Sequence, residues 1–201
     1  MENEWRVLFI GGTSGAGKTT LAHALSAKLG IDAIDVDSFR RSLREVANEE
    51  TLPNIHYFFN SGGKALDLDP DQLVQRVICR AEEVSGKLRR DIEIKLSSNK
   101  KVIYEGDDIT PEFVRSIPQS HSIFILERDI SEIEKVTKQR DPNFIDQNER
   151  RRKTQIETTM KYGNWIRDQA NNLGLKILNA RPEATLISRA CQELPNILGS
   201  L

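Results

Sequence analysis

Residues 12–19 read Gly12-Thr13-Ser14-Gly15-Ala16-Gly17-Lys18-Thr19, a complete G-x-x-x-x-G-K-[ST] pattern. Few octapeptides restrict a fold as tightly. The glycines let the backbone curl until consecutive N–H groups converge on one anion. The lysine adds a point charge for the outer phosphates of a nucleotide, and the threonine offers a hydroxyl to Mg²⁺. Such a loop has to be delivered by a strand and left by a helix, whose positive N-terminus then faces the same anion. Both flanks comply. Val7-Leu8-Phe9-Ile10 is an apolar run suited to a buried parallel strand. The helix that follows carries Leu21, Ala22, Leu25 and Leu29 at helical spacing, and Gly30 closes it.

The rest of the chain repeats that alternation. Residues 33–36 read as a second strand, and Ser38 reads as the cap of a basic helix over 39–47. Residues 48–67, with Pro53 and Gly62-Gly63, look irregular. Asp69-Pro70 is a cap followed by a first-turn proline. Leu73, Val74, Ile78, Ala81, Leu88 and Ile92 then predict one long helix to about Leu96. Strands are expected at 101–105, 122–126 and 175–178, with helices at 130–139, from about Arg150 to Leu173, and at 182–194. Strands alternating with helices predict a three-layer α/β fold with a five-stranded parallel sheet covered on both faces. No internal repeat is seen, and 201 residues suit a single domain over 1–201.

Charge narrows the partners. Twenty-nine Lys+Arg against 30 Asp+Glu leave a net charge of -1, which argues against a nucleic-acid partner. No apolar run approaches the ~20 residues that span a bilayer, so no membrane partner is expected. Cys79 and Cys191 lie far apart with no metal-ligand or redox spacing, as in a reducing compartment. Residues 1–4 are acidic and run into a strand, unlike a signal peptide, so the expected location is cytoplasmic.

The glycine-rich segment resembles the P-loop NTPases, and more closely their small-molecule kinases of the nucleoside-monophosphate-kinase-like group. Within that group the chain is similar to the 2-phosphoglycerate kinases. The similarity lies in Asp37-Ser38-Phe39-Arg40 with Arg44, in Leu52-Pro53-Asn54-Ile55-His56, and in Val102-Ile103-Tyr104-Glu105-Gly106. The resemblance implies strand order 2-3-1-4-5, a small-molecule acceptor, an acceptor-binding region at about 38–68, a short lid at about 140–153, and ATP with Mg²⁺ as the phosphoryl donor.

Several residues become candidates. Gly12, Thr13, Ser14, Gly15, Ala16, Gly17, Lys18 and Thr19 would bind the nucleotide, with Lys18 also catalytic. Asp37 follows the second strand, where a carboxylate faces the crevice used by ligands. It suits a general base, or alternatively an N-cap of the next helix. Arg40 and Arg44 are i,i+4 neighbours suited to an acceptor phosphate or carboxylate, or else form a solvated face paired to Glu45, Glu49 and Glu50. His56 sits in the acceptor region beside three aromatics, Tyr57, Phe58 and Phe59. Glu105 ends the third strand where a metal-side acid belongs, and Asp107 and Asp108 share its turn, so Thr19 with Glu105 or Asp107 would hold Mg²⁺.

Arg140 opens the segment that resembles the lid, with Arg150, Arg151 and Arg152 further along. One or two of these would reach the nucleotide phosphates on closure. The segment's polarity predicts little apolar surface to hold it shut. By the same resemblance Arg181 would contact the adenine. The leading function is ATP-dependent phosphotransfer to a small, anionic metabolite. The alternatives are a nucleotide-regulated binding module, and a toxin-like or RNA-end kinase with a macromolecular acceptor. A GTPase switch would carry N-K-x-D late in the chain, and the fourth and fifth strands end in Leu126-Glu127-Arg128-Asp129 and Leu178-Asn179-Ala180-Arg181 instead.

Overall fold

The computed structural model describes residues 5–98 and 100–198. The acidic segment 1–4, read above as no signal peptide, lies outside the described residues. The five strands are β1 (Val7–Gly12), β2 (Asp32–Asp35), β3 (Val102–Glu105), β4 (Ser120–Leu126) and β5 (Lys176–Asn179). They form one sheet in the order β2-β3-β1-β4-β5, and every pairing is parallel. The expected topology is therefore observed.

The helices are α1 (Lys18–Leu29), α2 (Val36–Ser42), α3 (Pro53–Asn60), α4 (Pro70–Ser97), α5 (Pro111–Arg115), α6 (Ile130–Arg140), α7 (Glu149–Asn172), α8 (Leu186–Glu193) and α9 (Pro195–Leu198). Side chains alternate across a strand, and here that sorts two cores. Val7, Phe9, Tyr104, Phe124 and Leu126 pack against α4, α5 and α7. Leu8, Ile10, Ile103, Ile123 and Ile125 pack against α1, α8 and α9. The central strands β1 and β3 are buried along their whole length, while the edge strands β2 and β5 are not. That difference explains why β1 and β3 read as continuous apolar runs.

Three local expectations change. The helix after β2 starts at Val36, not Phe39, because Asp35 rather than Ser38 caps it: the Asp37 backbone N–H donates to Asp35 Oδ1 at 2.8 Å. Asp37 thus lies in the first helical turn, beyond the strand end. That helix also stops at Ser42, and Leu43–Glu45 form a separate 3₁₀ turn. Residues 48–67 are not irregular but hold α3 and a 3₁₀ turn at Lys64–Asp67. No residue of its own chain segment caps α3. Glu83 of α4 does so from outside, accepting from the backbone N–H groups of Asn54 and Ile55 at 3.0 and 2.9 Å. A cap donated across tertiary space leaves no trace in the local sequence.

Candidate active site

A cleft of about 1210 Å³ opens at the carboxyl ends of the strands, lined by Gly15, Gly17, Lys18 and Thr19 of the glycine-rich loop, by Asp35, Asp37, Arg41, Glu105 and Asp107, and by residues of α6; Gly12, Thr13, Ser14 and Ala16 are not among its lining. Parallel α/β sheets place ligands at this edge because loops from several strands meet there. The loop from β1 to α1 is tight. Thr13 accepts from Ala16 N–H at 3.3 Å, and Lys18 Nζ donates back to the Thr13 carbonyl at 2.8 Å. Gly15 has φ +74, and a Cβ there would stand 2.1 Å from Val136 Cγ1 of α6. Gly17 precedes α1 without offering a side-chain cap, so the orphan N–H groups of the first turn are left to the cleft. This cradle fits a nucleotide phosphate, which supplies the missing acceptors.

The cations and acids around it are interlocked. Lys18, only 6 % exposed, donates to Asp107 Oδ1 at 2.5 Å. Thr19 Oγ1 donates to Glu105 Oε1 at 2.9 Å. Burial raises the Glu105 carboxyl above its ordinary range, and the Thr19 bond only partly offsets it. Burial, the largest influence, would raise Asp107 too, but the Lys18 ammonium, its hydrogen bond and the Arg80 and Arg40 charges together hold that carboxyl low. Asp37 is raised, first by burial and then by the charge of Asp107. Its Oδ1 is buried without a hydrogen bond, with only an ion pair to Arg40 Nη1 at 3.3 Å. A hydroxyl beside several carboxylates is a set of hard oxygen donors that fits Mg²⁺. Among the described residues no three acids or histidines gather closely enough to hold a metal alone. A phosphate-bound Mg²⁺ needs only one or two protein oxygens.

Other expected residues take different places. Arg40 reaches Asp108 Oδ2 at 2.5 Å as well as Asp37, and it is not among the residues that line the cleft. Arg44 does not share its face, because the 3₁₀ turn separates them; its guanidinium lies 5.3 Å above the Phe59 ring, away from the cleft lining. His56 is on α3 and does not line the cleft either. Arg41 does line it, held by Asp35 at 3.2 Å and Ser38 at 2.5 Å. Nothing in the Arg40-Arg41 sequence marks Arg41 over Arg44 except the early end of the helix.

Arg140 Nη1 lies 3.3 Å from Ser14 Oγ, so the start of the expected lid already touches the phosphate loop. Arg150 and Arg151 do not point there. Arg151 forks onto Asp67 at 2.6 Å through both nitrogens, and Arg150 bonds the Asp67 carbonyl at 3.2 Å. The segment is also less loose than its polarity suggests, since Phe144 is 2 % exposed. Arg181 is gripped by Glu127 and Glu132 at 3.2 Å each, with Glu183 at 3.6 Å. Arg181, Glu132 and Glu183 wall the cleft at its outer end. Arg80, which the periodicity of α4 leaves unremarked, forks onto the buried Asp108 at 2.9 and 2.8 Å.

A family model described as zeta toxin matches residues 4–67. The 2-phosphoglycerate kinase of Methanothermobacter thermautotrophicus is 29 % identical over 114 residues, 54 % of this chain; the match spans 37 % of that protein's own length. Among solved structures, shikimate kinase from Bacteroides thetaiotaomicron superposes with a TM-score of 0.57 at 19 % identity, over 96 % of this chain and 98 % of that one. A gluconokinase from Sinorhizobium meliloti gives 0.54 at 14 % identity, over 97 % and 94 %. Loop, strand order and likeness agree on the architecture: the chain has the fold of P-loop small-molecule kinases.

Proposed function

We propose that the chain is an ATP-dependent phosphotransferase acting on a hydroxyl or phosphate of a small anionic metabolite. In this reading residues 1–201 form one kinase domain, with its acceptor region at 38–68 and its lid at 140–153. The observation that carries the reading is the convergence of Lys18, Thr19, Glu105, Asp107 and Asp37 at one end of the sheet, beside a helix start with no side-chain cap. The similarity to 2-phosphoglycerate kinases supports an acceptor bearing phosphate or carboxylate.

Phosphoryl transfer asks a protein mainly for position and charge. Lys18 exchanges its Asp107 oxygen for a phosphate oxygen and stays in place, since the Thr13 carbonyl also holds it. Thr19, with Glu105 or Asp107, would hold Mg²⁺, which would supply charge screening of the outer phosphates. Asp37 accepts the proton as the acceptor oxygen bonds to the γ-phosphorus and the bond to the ADP oxygen breaks. Its raised carboxyl suits a base that must take a proton and release it again. Arg41, which lines the cleft, would meet the acceptor's own negative charge, with Arg40 behind it beside Asp37. Arg140, against Ser14, gathers on the transferred group, and Arg181 forms a wall for the base.

The membrane plays no part in this reading, and among the described residues no helix is long and apolar enough to cross one. The zeta toxin match over 4–67 favours a second reading, a toxin-like kinase with a larger acceptor. One assay separates the two: ATP consumption scored against phosphoglycerates, sugar acids, nucleotide sugars and RNA ends. Asp37→Asn is expected to lower kcat at least ~10²-fold with little change in ATP affinity. Excess chelator should abolish turnover and added Mg²⁺ restore it. Full activity in chelator would remove the metal from the reading.

A further inference from the structure

Asp108 is the most enclosed charge beside the cleft, with its side chain fully buried, and two arginines divide it. Its Oδ1 takes Arg80, from Nε at 2.9 Å and Nη2 at 2.8 Å. Its Oδ2 takes Arg40 Nη1 at 2.5 Å. The same Arg40 nitrogen lies 3.3 Å from Asp37 Oδ1. Arg80 is itself fixed from a second side, with its guanidinium 4.7 Å above the Phe58 ring of α3. A continuous path thus runs from α4 through the turn after β3 to the start of α2.

A buried carboxylate needs both oxygens satisfied. We propose that Arg80 is a positioning residue: by occupying one oxygen of Asp108 it limits Arg40 to the other, and so keeps the Arg40 guanidinium beside Asp37 where an anionic acceptor arrives. Without Arg80 the vacant Asp108 oxygen draws Arg40 into a full fork and away from Asp37. Arg80 acts through Asp108 and Arg40, not by touching the acceptor. The inference rests on the reading of Asp37 as the acceptor-side acid.

Two measurements test it, and the first needs no substrate. In a cycle of Arg80→Met and Asp37→Asn followed by denaturant unfolding, the Asp37→Asn change should cost less in the Arg80→Met background than in the wild type, because the Arg40–Asp37 pair is already lost there. The difference should vanish when Asp108 is Asn, whereas through-space attraction between residues 80 and 37 would survive that change. Additive effects, or coupling that persists in Asp108→Asn, overturn the relay. Arg80→Lys, which keeps the charge but not the fork, replaces Arg80→Met if the latter does not fold.

The second measurement uses 2-phosphoglycerate as the probe acceptor. Arg80→Met should raise its KM about tenfold while ADP affinity measured by calorimetry stays unchanged. Equal loss for both ligands means that Arg80 only supports the fold, and overturns the proposal. If the wild type binds ADP but does not phosphorylate 2-phosphoglycerate, the substrate reading fails, and the unfolding cycle alone decides on Arg80.

Discussion

Lys18→Ala should leave a folded protein that binds nucleotide weakly and transfers phosphoryl groups at least ~10²–10³-fold more slowly than the wild type. Lys18 is the cation nearest the loop, and its ammonium is already held in place by the Thr13 carbonyl at 2.8 Å and Asp107 at 2.5 Å. A charge fixed before the substrate arrives costs little reorganisation when charge shifts in the transition state. The stability cost should be modest, because Asp107 keeps 24 % exposure and water can replace its lost partner. Turnover and thermal unfolding measured on the same preparation check both halves. Near-normal turnover in a folded variant would remove Lys18 from the mechanism.

Gly12→Ala should do the opposite and abolish the fold before the chemistry. Gly12 closes β1 at φ +130, a conformation that L side chains rarely adopt. A Cβ built there stands 1.9 Å from the Ile125 carbonyl oxygen, which belongs to the backbone of β4 and cannot rotate away. The β1–β4 pairing runs through this point, with Gly12 opposite Ile125. Relief would require parting β1 from β4, so the cost should exceed about 4 kcal/mol. The expected result is insoluble protein, or a melting transition too low to measure beside the wild type's. A stable Gly12→Ala protein would mean that the loop enters the sheet differently.

How far the sequence could be read follows from these same contacts. The glycine-rich loop and the apolar periodicity of β1, α1 and α4 are local signals, and each element lies where its residues place it. The acid at the end of β3 is local in the same sense, and Glu105 and Asp107 do meet Thr19 and Lys18. What was not legible depends on partners distant in the chain. The cap of α3 comes from Glu83, the clamp on Asp108 from Arg80, and the anchor of Arg151 from Asp67. The early stop of α2 at Ser42 is subtler. It moves Arg44 onto Phe59 and leaves Arg41 in the cleft, although the i,i+4 spacing of Arg40 and Arg44 points the other way.

In the proposed function, the cleft moves the γ-phosphoryl group of ATP to a small acceptor that carries its own negative charge. The most direct measurement follows γ-labelled ATP with Mg²⁺ and the full chain across a panel of 2-phosphoglycerate, other hydroxy acids, neutral sugars, nucleotide sugars and RNA 5′ ends, and identifies the labelled product by mass. The account predicts label on 2-phosphoglycerate or another small hydroxy acid, and a much weaker signal from Asp37→Asn. Label on a neutral sugar or on RNA alone, or ATP hydrolysis with no labelled acceptor, would contradict it.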